Sequence, residues 1–300
     1  MAARWSALTL GCQLLLAATV AAALAMASAP SAPLIAAVTA AELCSVALLL
    51  AVIPLALGRS MMPGFAPRGR VGHMLRALCS DALAFEIALG RMSVEPCRAP
   101  PDGPVTTPFP RPVLLVHGFA CSRAVWRPLL ARLRAAGVGP VRAVSLEPLL
   151  AGLEAYAADL LTELETLSSR GAGHPISIVG HSMGALVARG ALRTARPGLI
   201  GRIITIGAPH HGTALACRFP WPSARQMCPG SGWLEELNGC QEGRLDIPVT
   251  TLYSLDDNYV VPAVSARLQG ARTIELEGIG HLGLLASRRV LDAVMSELLA

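Results

Sequence analysis

The sequence predicts an α/β fold: a doubly wound, mostly parallel sheet carried behind an N-terminal transmembrane helical hairpin. Three observations predict it. Six short apolar, β-rich runs alternate with helical patterns over the C-terminal two thirds of the chain. Several of those runs are apolar at consecutive positions, as strands buried on both faces of a parallel sheet are. Upstream, two apolar stretches each reach the roughly 20 residues a helix needs to cross a hydrocarbon core.

Those stretches come first in the chain, at about Leu8 to Ala27 and Leu34 to Leu57, with a turn at Pro30 and Pro33 between them. No charged residue lies between Trp5 and Ala41, and Glu42 sits near the N-terminal end of the second stretch, within reach of the interface. Residues 1–58 are therefore read as a membrane anchor of two helices. The alternatives are a cleaved signal peptide, with Arg4 as its charged region and Ala25-Met26-Ala27 as its small-residue site, followed by one span, or neither. Residues 59–111 read as a proline- and arginine-rich connector with one helix near Val71 to Leu89.

Residues 112–300 read as the α/β domain. Its expected strands are Val113–Val116, Val141–Leu146, Ile176–Val179, Arg202–Ile206, Val249–Tyr253 and Thr273–Leu276. The expected helices are Ala124–Ala136, Leu153–Ser168, Ala185–Thr194 and Ser287–Leu299. The 36 residues or so from Gly212 to Pro248 hold Trp221, Trp233 and several prolines, with room for only a small lid.

Gly180-His181-Ser182-Met183-Gly184 stands directly behind the run Ile176-Ser177-Ile178-Val179 and directly before the helical pattern Ala185-Leu186-Val187-Ala188-Arg189. Strand, sharp turn carrying serine, then helix is the context of a nucleophile elbow. A serine hydroxyl needs a base, a carboxylate to orient that base, and donors for an oxyanion. Of seven histidines, His73, His117, His174 and His181 precede the serine, and His210 and His211 follow it too closely to serve as base. His281, in Gly278-Ile279-Gly280-His281-Leu282-Gly283, follows the last strand and is the expected base. The loop after Val249–Tyr253 carries Asp256 and Asp257; Asp257 is favoured as the orienting acid, with Val260 as a packing anchor, and Asp256 is the alternative. Glu275 and Glu277 lie on the last strand and are expected to face solvent. The backbone N–H groups of Met183 and Phe119 are the expected oxyanion donors, and His117 is read as a structural hydrogen-bonder.

Taken together, these segments resemble the bacterial lipase and esterase branch (triacylglycerol lipase-like) of the α/β-hydrolase superfamily. The resemblance runs from about Pro112 to Leu299. It rests on Val116-His117-Gly118-Phe119, the Ser182 pentapeptide, Gly207-Ala208-Pro209-His210-His211-Gly212-Thr213, Tyr253-Ser254 leading to Asp257, and Gly280-His281-Leu282-Gly283. It implies ester hydrolysis through a Ser-His-Asp triad, without a cofactor, on lipid or lipophilic esters. A thioesterase or acyltransferase using the same triad, or an inactive membrane-tethered binding module, are the alternatives. No calcium site carries over, and the N-terminal anchor has no counterpart in the secreted lipases of this branch.

The remaining bulk properties narrow the partners and the compartment. Every basic residue is arginine, and the net charge of +5 is dispersed and not interleaved with aromatics, so no nucleic-acid partner is implied. Arg59, Arg68, Arg70 and Arg76 follow the second apolar stretch, and by the positive-inside rule they place the catalytic domain on the cytoplasmic side of a bacterial inner membrane. The eight cysteines include no C-x-x-C pair, so a zinc site is not expected. A disulfide such as Cys217–Cys228 or Cys79–Cys97 would instead place the domain in the periplasm. Cys240 lies in the same irregular region as the first pair.

Overall fold

The computed structural model describes residues 109–300, except 171, 172, 242 and 244, together with helical residues between 72 and 88. These all fall within one compact unit, Ala66–Ala300. The two apolar stretches expected to span a membrane, and the Cys79–Cys97 pair, lie outside the described residues. Among the described residues no helix is long and apolar enough to cross a membrane.

Six strands form one sheet in the order β2-β1-β3-β4-β5-β6. They are β1 (Phe109–Val116), β2 (Val138–Val144), β3 (Ile176–His181), β4 (Ile200–Ile206), β5 (Val249–Ser254) and β6 (Arg272–Leu276). Every pairing among them is parallel. The helices are α1 (Arg127–Ala135), α2 (Leu153–Arg170), α3 (Met183–Leu192), α4 (Pro222–Gln226), α5 (Gly232–Gln241) and α6 (Arg288–Leu299).

The consecutive apolar residues of β1 explain why the sheet is covered twice. Leu114 and Val116 pack on one face with Leu160, Leu164 and Leu167 of α2 and Leu186 and Val187 of α3. Val113 and Leu115 point the other way, onto Leu129 and Leu133 of α1 and Val290, Val294 and Leu298 of α6. Each leucine buried in this way contributes about 1.5–3 kcal/mol, so the two-sided core fixes the register of β1 as firmly as its hydrogen bonds do.

That register also sets where chemistry can occur. Val116 of β1 is paired with Gly180 of β3, which is paired with Thr205 of β4. Ile206 is opposite Leu252, and Ser254 opposite Leu276. The strands therefore end side by side, and the loops after β1, β3, β5 and β6 emerge at one rim. In open parallel sheets this carboxyl edge, beside the point where the strand order reverses, is where ligands bind.

Two expected strand bounds are corrected here. β1 begins four residues earlier than Val113, and β2 runs Val138–Val144 instead of Val141–Leu146. The segment from Gly212 to Pro248, expected to hold a small lid, carries a 3-10 turn (Ala216–Arg218) and the helices α4 and α5, closed by a Cys217–Cys228 disulfide.

Candidate active site

Ser182 sits between the last residue of β3 and the first of α3, with φ 53° and ψ −125°. A non-glycine residue rarely adopts positive φ, and the cost is about 1–3 kcal/mol. The turn is held from both sides: Ser182 N–H donates to Ile206 O at 2.9 Å, and Ser182 O accepts from Ala185 N–H at 3.1 Å. Tight packing explains the last glycine of the pentapeptide. A Cβ on Gly184 would lie within 2.5 Å of Val116 O and 2.8 Å of Val116 C, against backbone that cannot move without disrupting β1. Gly184→Ala is therefore expected to cost roughly 3 kcal/mol of stability, read as a lowered thermal midpoint.

Asp257 and His281 meet at the same rim. Asp257 is 1% exposed, and its Oδ2 lies 2.8 Å from His281 Nδ1. The other oxygen, Oδ1, accepts the backbone N–H groups of Tyr259 at 2.9 Å and Val260 at 2.8 Å. Both carboxylate oxygens are thus committed, and one of them is committed to the imidazole. Asp256 is turned elsewhere; its Oδ2 accepts from Gly278 N–H at 2.7 Å. Glu275 is exposed and holds Arg267 and the Tyr253 hydroxyl.

The imidazole of His281 is buried and enclosed. Its ring lies 4.6 Å from the His181 ring and 5.0 Å from the Tyr259 ring, centroid to centroid. Its backbone N–H donates to Asn258 Oδ1 at 3.1 Å, and its carbonyl faces His181 Nε2 at 3.3 Å. Burial alone would depress the His281 pKa. The Asp257 carboxylate, by charge and hydrogen bond, and the Asp81 charge outweigh it, so the pKa stands above the ordinary value.

Ser182 and His281 are linked through intermediates. A Cβ added at Gly118 would meet Ser182 Cβ at 2.9 Å and His181 Nδ1 at 3.0 Å, so Ser182 and His181 flank the same glycine, and the His181 ring packs on His281. No hydrogen bond joins the Ser182 hydroxyl to His281 among the described residues. Catalytic hydrogen bonds are often open in an unliganded site and close when substrate arrives.

Met183 and Phe119, the expected oxyanion donors, lie just after β3 and β1. Met183 is the first residue of α3, so its N–H has no acceptor earlier in the helix. Phe119 follows Gly118 in the loop after β1, ahead of Ala120, which has φ 54°. His117 anchors this loop from below. Its Nε2 accepts from Leu146 N–H at 3.0 Å, which leaves Nδ1 to donate to Gly118 O at 2.8 Å.

His181 and His210 are held neutral. Burial pushes His181 well below its usual pKa, and the His281 charge adds to that. Burial and the Arg189 charge do the same for His210. Burial also pushes the Cys121 thiol up to about 12, which keeps it protonated and a poor nucleophile. Among the described residues no group of three His, Cys, Asp or Glu side chains could hold a metal ion.

Four supporting residues carried no sequence signal that was read. Asn258 fixes the His281 backbone. Arg189 of α3 is fully buried and donates to Gln241 Oε1 at 3.0 Å and Asn238 Oδ1 at 2.9 Å, both on α5, with His210 Nδ1 at 3.2 Å. α5 is thereby tied to α3, the helix that follows Ser182. An open groove of about 1030 Å³ lies along β2 and α2, lined by residues such as Ser145, Leu149 and Glu163; it does not include Ser182.

Residues 113–239 match the family model described as alpha/beta hydrolase family. The fold is that of the α/β hydrolases. Solved structures with the same fold include a mature Bacillus licheniformis lipase, 20% identical with a TM-score of 0.58, where the match covers 66% of this chain and 96% of the lipase. An esterase from a Rhodococcus strain is 20% identical with a TM-score of 0.50, over 66% of this chain and 93% of the esterase. Aspergillus fumigatus lipase B is 21% identical with a TM-score of 0.56, over 63% of this chain and 52% of that enzyme, so the match spans about half its length.

Proposed function

We propose that this α/β hydrolase cleaves carboxylic esters of lipophilic acids through Ser182, His281 and Asp257. The buried Asp257–His281 pair at the rim where Ser182 stands on its strained turn carries this reading. Ser182 Oγ attacks the ester carbonyl as His281 Nε2 takes its proton. Asp257 holds Nδ1 and stabilises the imidazolium. The Met183 and Phe119 N–H groups receive the oxyanion. His281 then returns the proton to the leaving alkoxide, and water, deprotonated by the same nitrogen, releases the acid from Ser182.

A lipophilic acyl group is favoured by the row of rings that starts at the oxyanion loop. Phe119 stacks on Trp221 at 5.5 Å, and Trp221 on Phe219 at 4.7 Å, with Phe219 exposed. The presence of lipases and esterases among the structural neighbours agrees with it. Hydrolysis of nitrophenyl esters from acetate to oleate tests the reading: rates should rise with chain length, and a preference for acetate would count against the lipophilic substrate.

The base also sets the pH profile. His281 must be neutral to accept a proton, and its pKa is raised. Therefore kcat/KM is expected to fall, as pH drops, through a value above the ordinary imidazole value of about 6.5. A limb centred below that value would remove the Asp257–His281 interaction from the mechanism.

Anchoring by residues 1–58 forms part of the same proposal, because a bilayer-bound hydrolase would meet esters that partition there. The Cys217–Cys228 disulfide favours the oxidising, periplasmic side over the side implied by the arginines.

A further inference from the structure

We propose that Asp81, on the helix upstream of the sheet, is a positioning residue that holds the His281 loop in its working geometry. The proposal rests on the reading of His281 as the base. Asp81 is 3% exposed, and its Oδ1 accepts the backbone N–H of Gly283 at 2.8 Å. One residue earlier, Ser80 Oγ donates to Ala77 O at 2.8 Å and accepts from Gly280 N–H at 3.3 Å. The two residues therefore clamp the backbone on both sides of His281, from 200 positions away in the chain. Contact is close enough to exclude any side chain at Gly280: a Cβ there would overlap the Asp81 carboxyl and lie 2.6 Å from Ala77 O.

A carboxylate is a costly way to hold a loop. Among the described residues no ordinary hydrogen bond reaches the buried Asp81 Oδ2, and the nearby Asn258 side chain favours the charged form. An amide or hydroxyl would clamp Gly283 without carrying a buried charge. What a carboxylate adds is field. The groups that feel it are His281 on the clamped loop and Asp257 and Tyr259 on the loop after β5; His181 at the end of β3 faces the same imidazole, and the Cys121 thiol lies beyond Tyr259. The Asp81 charge adds to that of Asp257 in stabilising the His281 cation that forms when Ser182 attacks. Burial, helped by Asp257, pushes Asp81 itself up to about 6 against the Gly283 hydrogen bond and the His281 charge. Protonation of Asp81 thus lies on the acid side of the limb set by His281, so Asp81 is charged where His281 changes state.

The test uses the full chain and two variants. Asp81→Asn keeps an acceptor for Gly283 N–H and removes the charge. Its kcat at high pH should fall by about threefold, while the acid limb of kcat/KM moves to lower pH, because His281 has lost one of the charges that raise it. Asp81→Ala removes both functions, and its kcat should fall about 10- to 100-fold with little change in KM. An Asp81→Asn limb that coincides with the parent's overturns the proposal, whether or not the alanine variant folds. Fluorophosphonate labelling of the parent separates the two possible failures. A parent unlabelled at Ser182 defeats the esterase reading itself, whereas a labelled parent with an unmoved Asp81→Asn limb defeats only this inference.

Discussion

Replacing Ser182 by alanine is expected to lower kcat for nitrophenyl esters by roughly 10⁴- to 10⁶-fold, the scale on which removal of a triad nucleophile acts. Folding should be little affected. The strained φ of 53° belongs to the elbow backbone and not to the hydroxyl. Alanine tolerates that turn as well as serine does, and among the described residues the hydroxyl holds no hydrogen bond whose loss would weaken the fold. Thermal midpoints of the two proteins should therefore agree within about 2 °C while their activities differ by orders of magnitude. Retained turnover in the alanine variant would transfer the chemistry to another group. Cys121 is a poor candidate, because burial keeps its thiol protonated.

Asp257→Asn is expected to lower kcat by about 10⁴-fold, and the reason lies in the hydrogen bonds around the carboxylate. Oδ1 accepts two backbone N–H groups, from Tyr259 and Val260. An asparagine keeps those bonds only if its oxygen takes that place, so its NH₂ faces His281 Nδ1. Nδ1 must then become the acceptor and Nε2 carries the proton, which is the wrong tautomer for a base toward Ser182. The same change removes the largest influence raising the His281 pKa, so residual activity should show its acid limb at lower pH. Asp256→Asn provides the contrast. Its carboxylate holds Gly278 N–H and does not touch the imidazole, so kcat should stay within about tenfold of the parent. Equal losses in the two variants would mean that the orienting carboxylate has been assigned to the wrong residue.

What was legible in the chain follows from how locally each feature is determined. The strands of the sheet could be read because double burial demands runs such as Val113–Val116 and Ile203–Ile206, which stand out against any polar background. The turn at Ser182 could be read because strand, glycine, serine and helix occupy one short segment. His281 and Asp257 were reachable by order along the chain once the sheet was assumed.

The helices of the lid segment were not legible. α5 opens on Gly232, contains Gly239 and buries only Leu234, Leu237 and Gln241, so its apolar stripe is too thin to reveal a period. Its anchor is polar instead: Asn238 and Gln241 receive the buried Arg189 of α3, a pairing with no pattern in sequence. Asn258 stood beside the chosen aspartate, and its role depends on a backbone N–H 23 residues away. Asp81 was out of reach for the same reason on a larger scale, since a lone acid on a helix becomes informative only when Gly280 and Gly283 are brought against it.

The most direct measurement is the crystal structure of the full chain after reaction with an alkyl fluorophosphonate. The expected adduct has phosphorus bonded to Ser182 Oγ, one phosphonyl oxygen about 3 Å from both the Met183 and Phe119 nitrogens, and the His281 ring within hydrogen-bond reach of Ser182 Oγ. Its alkyl group should lie toward Trp221. Phosphorus on any other residue, or an adduct on Ser182 whose oxygen points away from both nitrogens with His281 out of reach, would contradict the account.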